Sequence, residues 1–263
     1  MTMLRYCLTL CSILPFFVAH EAAAQPVADT VEVTVEGAVE APGIKSLATG
    51  ARLAEAAIAA TPSDDAYVLG AALTRASARA EQIRLKAGLL FDLNMMQRDA
   101  DQRLSARAAA LEEALTGMPV TGRVRQALEP RLMQIRPSEN PVAAAGDSLW
   151  YPSRPSSVRI VGAVVQSCEF PHDATADVTR YMRHCASDET ADKNVVYIIQ
   201  PDGQIQIAGI ALWNRSDVMP VAPGGMVYVP LAERSISRIS PEFNAQFAEF
   251  LATQLLPHAR VAP

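Results

Sequence analysis

Apolar and polar residues alternate from Val31 to Glu36, with Val31, Val33 and Val35 on one face and Glu32, Thr34 and Glu36 on the other. That period-two pattern predicts a half-buried strand. Gly37 and Pro42-Gly43 supply turn chemistry, Ile44 to Leu47 reads as a returning strand, and Arg52 to Ala60 as a short alanine-rich helix stopped by Thr61-Pro62. From Ala66 to about Leu115 the period lengthens. Leu73, Ala76, Ala80, Ile83, Ala87 and Leu90 recur at three- and four-residue spacing, and Leu104, Ala108, Leu111 and Leu115 make a second stripe, which together predict a packed helical hairpin. Gly117 and Pro119 end it.

Mixed structure resumes over 121–151 and closes on Gly146-Asp147-Ser148-Leu149-Trp150-Tyr151-Pro152, with Pro152 to Pro155 as a boundary. A second unit then begins: Val158, Ile160, Gly162, Ala163 and Val164 echo Val33, Val35, Gly37, Ala38 and Val39, an internal repeat of the form V-x-V/I-x-G-A-V. Val195 to Ile199 and Gln204 to Ala208 form two strands joined through Pro201-Asp202-Gly203, a hairpin signal. Pro223 to Pro230 parallels the closing segment of the first unit. Strand, turn, strand, helix is how a β-grasp domain begins. The expected fold is therefore α+β, with two tandem β-grasp domains: 25–156, carrying a helical insertion at about 63–120, and 157–235. A terminal amphipathic helix over 240–256 follows, with Ser240 as N-cap, Pro241 at the first position and Pro257 as the stop. Phe243, Phe247, Phe250 and Leu251 share its apolar face, which by default packs on its own domain and is otherwise a candidate partner-docking or membrane-contacting surface. At about 24 Å it is short of a roughly 30 Å hydrocarbon core.

Met1 to Ala24 has the layout of a secretory signal peptide: Arg5, an apolar run from Tyr6 to Val18, then Ala22-Ala23-Ala24 as a cleavage site. Cleavage would leave an unlipidated N-terminus at Gln25, because Leu10 before Cys11 is too large for a lipidation signal. The expected location is periplasmic. Beyond residue 25 no stretch approaches the roughly 18 apolar residues of a bilayer span.

The net charge of −5 argues against a nucleic-acid partner. Processing would leave two cysteines, Cys168 and Cys185, and export favours their joining as a disulfide worth about 3 kcal/mol. His172 and His184 lie nearby, but the spacing matches no standard zinc pattern, so neither metal nor cofactor is expected. The sequence holds no G-x-S-x-G, G-x-G-x-x-G, P-loop or H-E-x-x-H, which leaves the commonest catalytic classes without a starting point. The carboxylate pairs Asp64-Asp65, Asp99/Asp101 and Glu112-Glu113 are nearly adjacent, whereas glycosidases set theirs across a cleft. No catalytic residue is assigned.

Arg75 and Arg79, one helical turn apart, with Arg84 and Lys86 following, offer a cationic face to an acidic polymer, or else a solvated, salt-bridged one. Arg123 lies where the chain leaves the helices for the sheet, a place suited either to holding a carboxylate or to capping helix carbonyls. Trp213 and Tyr228 suit sugar stacking, although such residues more often seal a core.

The G-A-V units, the turn at Ala41 to Gly43 and the closing Gly146 to Pro152 resemble the soluble-ligand-binding β-grasp (SLBB) domains of polysaccharide-export proteins. The full order is similar to the GfcC-type capsule biosynthesis family: two such domains, an insertion containing Arg84 to Leu93, then Trp213-Asn214, a P-G-G-x-V-Y-V-P end and a terminal helix. The resemblance spans nearly all of residues 28–256. It implies a periplasmic, non-catalytic accessory of capsule or exopolysaccharide assembly and export, whose partner is polysaccharide or an export-machinery protein, with peripheral contact to the outer membrane. A polysaccharide-modifying enzyme and an outer-membrane exporter component are the alternatives; the short terminal helix and missing lipid anchor depart from the exporters.

Overall fold

The computed structural model describes residues 29–257; Met1 to Ala24 lies outside them. Two five-stranded mixed sheets are built from one plan. In the first, β1 (Thr30–Gly37), β2 (Gly43–Ala48), β3 (Ala72–Thr74), β4 (Arg123–Val124) and β5 (Asp147–Tyr151) take the order β2-β1-β5-β3-β4. In the second, β6 (Ser157–Gly162), β7 (Cys168–Pro171), β8 (Val195–Ile199), β9 (Ile205–Gly209) and β10 (Met226–Val229) take the order β7-β6-β10-β8-β9. In each, the first and last strands are parallel and the other pairings antiparallel. This is the β-grasp plan twice over.

The sequence repeat has a backbone cause. Gly37 and Gly162 both hold positive φ, at 97° and 105°, a region costly for any residue with a Cβ. A Cβ would fall 2.0 Å from the Tyr151 carbonyl oxygen at the first and 2.3 Å from that of Val229 at the second. The next residues, Ala38 and Ala163, donate to those same carbonyls at 2.7 and 2.8 Å. In both domains the glycine thus lets the first strand close against the last.

The first core holds Val33, Val35, Leu149 and Tyr151 of the sheet, the alanine-rich face of α1 (Leu53–Ala60) and Met133 of α4 (Pro130–Ile135). Between β3 and β4, where the second domain has a tight turn at 201–203, the chain inserts α2 (Ala76–Met96) and α3 (Gln102–Gly117). Residues 72–74 are strand, so the helices begin later than the spacing predicts, and Leu73 belongs to the sheet core. The α3 stripe of Leu104, Ala108, Leu111 and Leu115 is buried as expected. On α2 the buried residues are Gln82, Leu89, Leu93 and Met96, whereas Ala76, Ala80, Ile83 and Ala87 face solvent. The helix is rich enough in small and apolar residues that periodicity picked the wrong face.

The hairpin's apolar face packs in the second domain's core. Leu89, Leu93, Met96, Leu104, Leu111 and Leu115 form one cluster with Val158, Ile160, Val227 and Tyr228. After the short α6 (Glu233–Ile236), the terminal helix α7 (Phe243–Ala252) stands between this hairpin and the second sheet; Tyr228 stacks on Phe247 at 5.0 Å. α5 (Val178–Met182) lies across the opposite face of that sheet, where Tyr181 meets Phe170. With both faces covered, all four residues of β10 are buried. α7 is ten residues long and capped at Glu242 rather than Ser240. Phe243, Phe247, Phe250 and Leu251 are buried in their own chain, so the proposed partner-docking face is a core face.

Candidate functional site

The candidate arginines converge at the hairpin's exit from the first sheet. Gly122 has φ of 75°, and a Cβ there would lie 2.7 Å from the Arg75 carbonyl oxygen and 2.9 Å from Arg79 Cγ. Their charges go to different ends. Arg75 Nε and Nη2 donate to both oxygens of buried Asp147 at 2.8 and 2.6 Å, with Nη2 also reaching the Val142 carbonyl, a bidentate pair of the stronger kind. Asp147 in turn accepts from the Ala144 N–H, so this ion pair fixes the turn into β5. Lys86 donates to the carbonyls of Thr116 and Met118 at the end of α3. Arg79 and Arg84 are exposed. The cationic face read from the sequence is therefore divided between structural contacts and solvent.

Arg123 is 8% exposed and donates to three carbonyls: those of Ala252 and Gln254 at 3.2 and 3.0 Å, and that of Pro201. Burial lowers its pKa to about 10, against the opposing pull of Asp202. Thr121 Oγ1 donates to the Thr253 carbonyl and Trp150 Nε1 to that of Leu256. The segment following α7 is thereby stitched to the first domain, and the β8–β9 turn joins it through Pro201. Beside this clamp, Arg125, Gln126, Glu139 and Asp202 line an open hollow of about 510 Å³.

Cys168 and Cys185 form a disulfide with Cα atoms 6.0 Å apart, tying β7 to the segment after α5. It uses both sulfurs, leaving His172 and His184 without thiolate neighbours among the described residues. Four of the six paired carboxylates serve local ends. Asp101 caps α3 through the Arg103 N–H at 2.9 Å, Asp99 accepts from the Asp101 N–H, Glu112 accepts from Gln97, and Asp65 from Ser63.

Tyr228 is a core residue, its hydroxyl donating to Asn244. Trp213 is not: it is 78% exposed. It stands in the loop after β9, which lends Ile210 and Arg215 to a groove of about 470 Å³ lined also by Arg183, Asp188, Glu189, Asp192 and Lys193. Periodicity gave no hint of this groove, because its charges come from two separate segments, the one between α5 and β8 and the loop after β9. The signal available was a tryptophan in an aperiodic segment followed by Asn214 and Ser216.

Fold and junction define a class, proteins of two tandem β-grasp domains with a helical hairpin inserted in the first and a helix closing the second. The N-terminal model of the capsule biosynthesis GfcC family matches residues 27–154 and its C-terminal model matches 166–256. The chain is also 29% identical over 188 residues to an uncharacterized protein, YjbG, of Escherichia coli strain K12, covering 72% of this chain and 76% of that one. The chain belongs to the capsule biosynthesis GfcC family.

Proposed function

We propose that this protein is a periplasmic accessory of capsule or exopolysaccharide assembly and export, acting by binding polymer or export machinery and not by turnover. The observation that carries the reading is the family match over both domains. Supporting it, the signal-peptide pattern of Met1 to Ala24 would direct the chain out of the cytoplasm, and the disulfide suits an oxidising compartment. Of the paired carboxylates, Asp65, Asp99, Asp101 and Glu112 are held in local hydrogen bonds, which favours binding over hydrolysis. The exporter alternative is disfavoured because its terminal helix would have to leave the second domain's core.

The test has two parts. Osmotic shock should release a mature chain beginning at Gln25, and purified protein incubated with the producing strain's polymer should leave its chain length unchanged. Retention in the cytoplasm, or a shortened polymer, would overturn the reading.

A further inference from the structure

We infer that the groove beside Trp213 is a binding site for an acidic glycan, in which the indole stacks on a sugar ring while Arg183, Lys193 and Arg215 hold its carboxylates. The inference deepens the polysaccharide reading above and rests on it.

The loop is built to present its tryptophan. Asn214 Oδ1 accepts the Ala211 N–H at 3.1 Å and its Nδ2 donates to the Asn194 carbonyl at 3.0 Å. Ser216 and Gly209 exchange two hydrogen bonds, through Ser216 Oγ and the Gly209 carbonyl. Gly209 is obligatory for this closure, since a Cβ would lie 1.9 Å from the Asn214 carbonyl oxygen. Trp213 Nε1 donates to Asn194 Oδ1 at 3.3 Å. The indole is thus tethered by its polar edge and its faces stay open, and Leu212 beside it is 89% exposed. A tethered, open aromatic face is suited to the apolar face of a pyranose, with little ordering cost on binding.

The groove supplies charge. Its carboxylates are engaged: Asp188 pairs with Arg107 and Glu189 with Arg103, both from α3, and Asp192 accepts the N–H groups of Asn194 and Val195. Among the described residues Arg183, Lys193 and Arg215 form no salt bridge. Three cations and three carboxylates line the groove, and with Asp188 and Glu189 already paired to α3 three cations remain for one carboxylate outside those pairs, in a protein whose net charge is −5. That local excess selects an anion, and two arginines can each grip a carboxylate bidentately. The volume of about 470 Å³ falls within the roughly 300–1,000 Å³ of small-ligand sites.

The probes are hexasaccharides of alginate and of polygalacturonate, with maltohexaose as the neutral counterpart, measured by calorimetry. Tryptophan fluorescence in a Trp150→Phe background reports Trp213 alone, since the chain holds two tryptophans. Uronate binding should quench that signal and weaken with added salt. Trp213→Ala and the double variant Arg183→Ala/Arg215→Ala should each lower affinity about tenfold or more. Ile83→Ala, on the exposed face of α2, should leave it unchanged. Absence of binding to both uronates, equal binding of maltohexaose, or unaltered affinity in the Trp213 variant would overturn the inference. A strain lacking the gene separates the two claims. If it loses surface polymer while the uronates do not bind, the groove fails and the function stands; uronate binding with normal polymer fails the function alone.

Discussion

The Arg123 guanidinium donates to the Pro201 carbonyl, joining the strand that follows the hairpin in one domain to the tight turn at the equivalent place in the other. The same side chain holds Ala252 and Gln254. One buried cation thus ties three segments that are far apart in sequence. Arg123→Met should leave those carbonyls without a donor and cost about 3 kcal/mol in denaturant unfolding. Arg79→Met, exposed on the same corner, should change stability by no more than about 0.5 kcal/mol.

Gly37→Ala and Gly162→Ala should each destabilise by about 3 kcal/mol or more, because a Cβ would overlap a carbonyl oxygen and φ is positive. Gly43→Ala is the control. Its φ is 106° but no atom lies within 4 Å of the added Cβ, so strain alone remains, about 1–2 kcal/mol. Thermal unfolding of the three variants would separate close approach from backbone strain.

These positions also mark what could be read without the structure. The V-x-V/I-x-G-A-V repeat was visible because the same steric demand falls twice on one short segment. The disulfide was legible from the two cysteines that the expected processing would leave. The two-sided fate of the helices was not. An amphipathic stripe says that a helix is covered, not by which domain, and α2 has small or apolar residues on every side. Arg123 could be placed at a junction from local sequence, yet its partners lie 78 to 131 residues away, beyond any local pattern. Trp213 could be named as a stacking residue or a core one but not decided between, since its exposure depends on a loop held by Asn194 from another strand's approach.

Phe247 is 2% exposed and stacked between Tyr228 and Phe243. Phe247→Ala should cost about 3–5 kcal/mol, and removing residues 240–257 should unfold the second domain. Loss of tertiary circular dichroism in the truncated chain would establish that α7 is core; a folded truncation would return it to the role of a separable docking helix.

Reducing the Cys168–Cys185 disulfide, or replacing both cysteines by serine, should lower stability by about 3 kcal/mol, since the bond closes a loop with sequence separation 17. Urea unfolding with and without reductant measures it.

Four tyrosines carry raised pKa values, Tyr67, Tyr151, Tyr197 and Tyr228, chiefly through burial. A raised acid stays protonated in the fold when it would ionise in the unfolded chain, so above pH 10 the folded state binds more protons and stability falls as pH rises. Arg123, whose pKa burial lowers to about 10, acts oppositely above that pH, but it is one group against four. Unfolding free energy should therefore drop steadily above pH 10, with tyrosinate absorbance lagging until the fold is lost. Constant stability from pH 9 to 11.5 would contradict this.

The role proposed for this protein is to help deliver polymer to the cell surface. The direct measurement is surface and periplasmic polysaccharide in a strain lacking this gene, beside the same strain with the gene restored, under polymer-producing conditions. The account predicts a loss of surface polymer that the restored copy repairs. Unchanged polymer at both locations would contradict it.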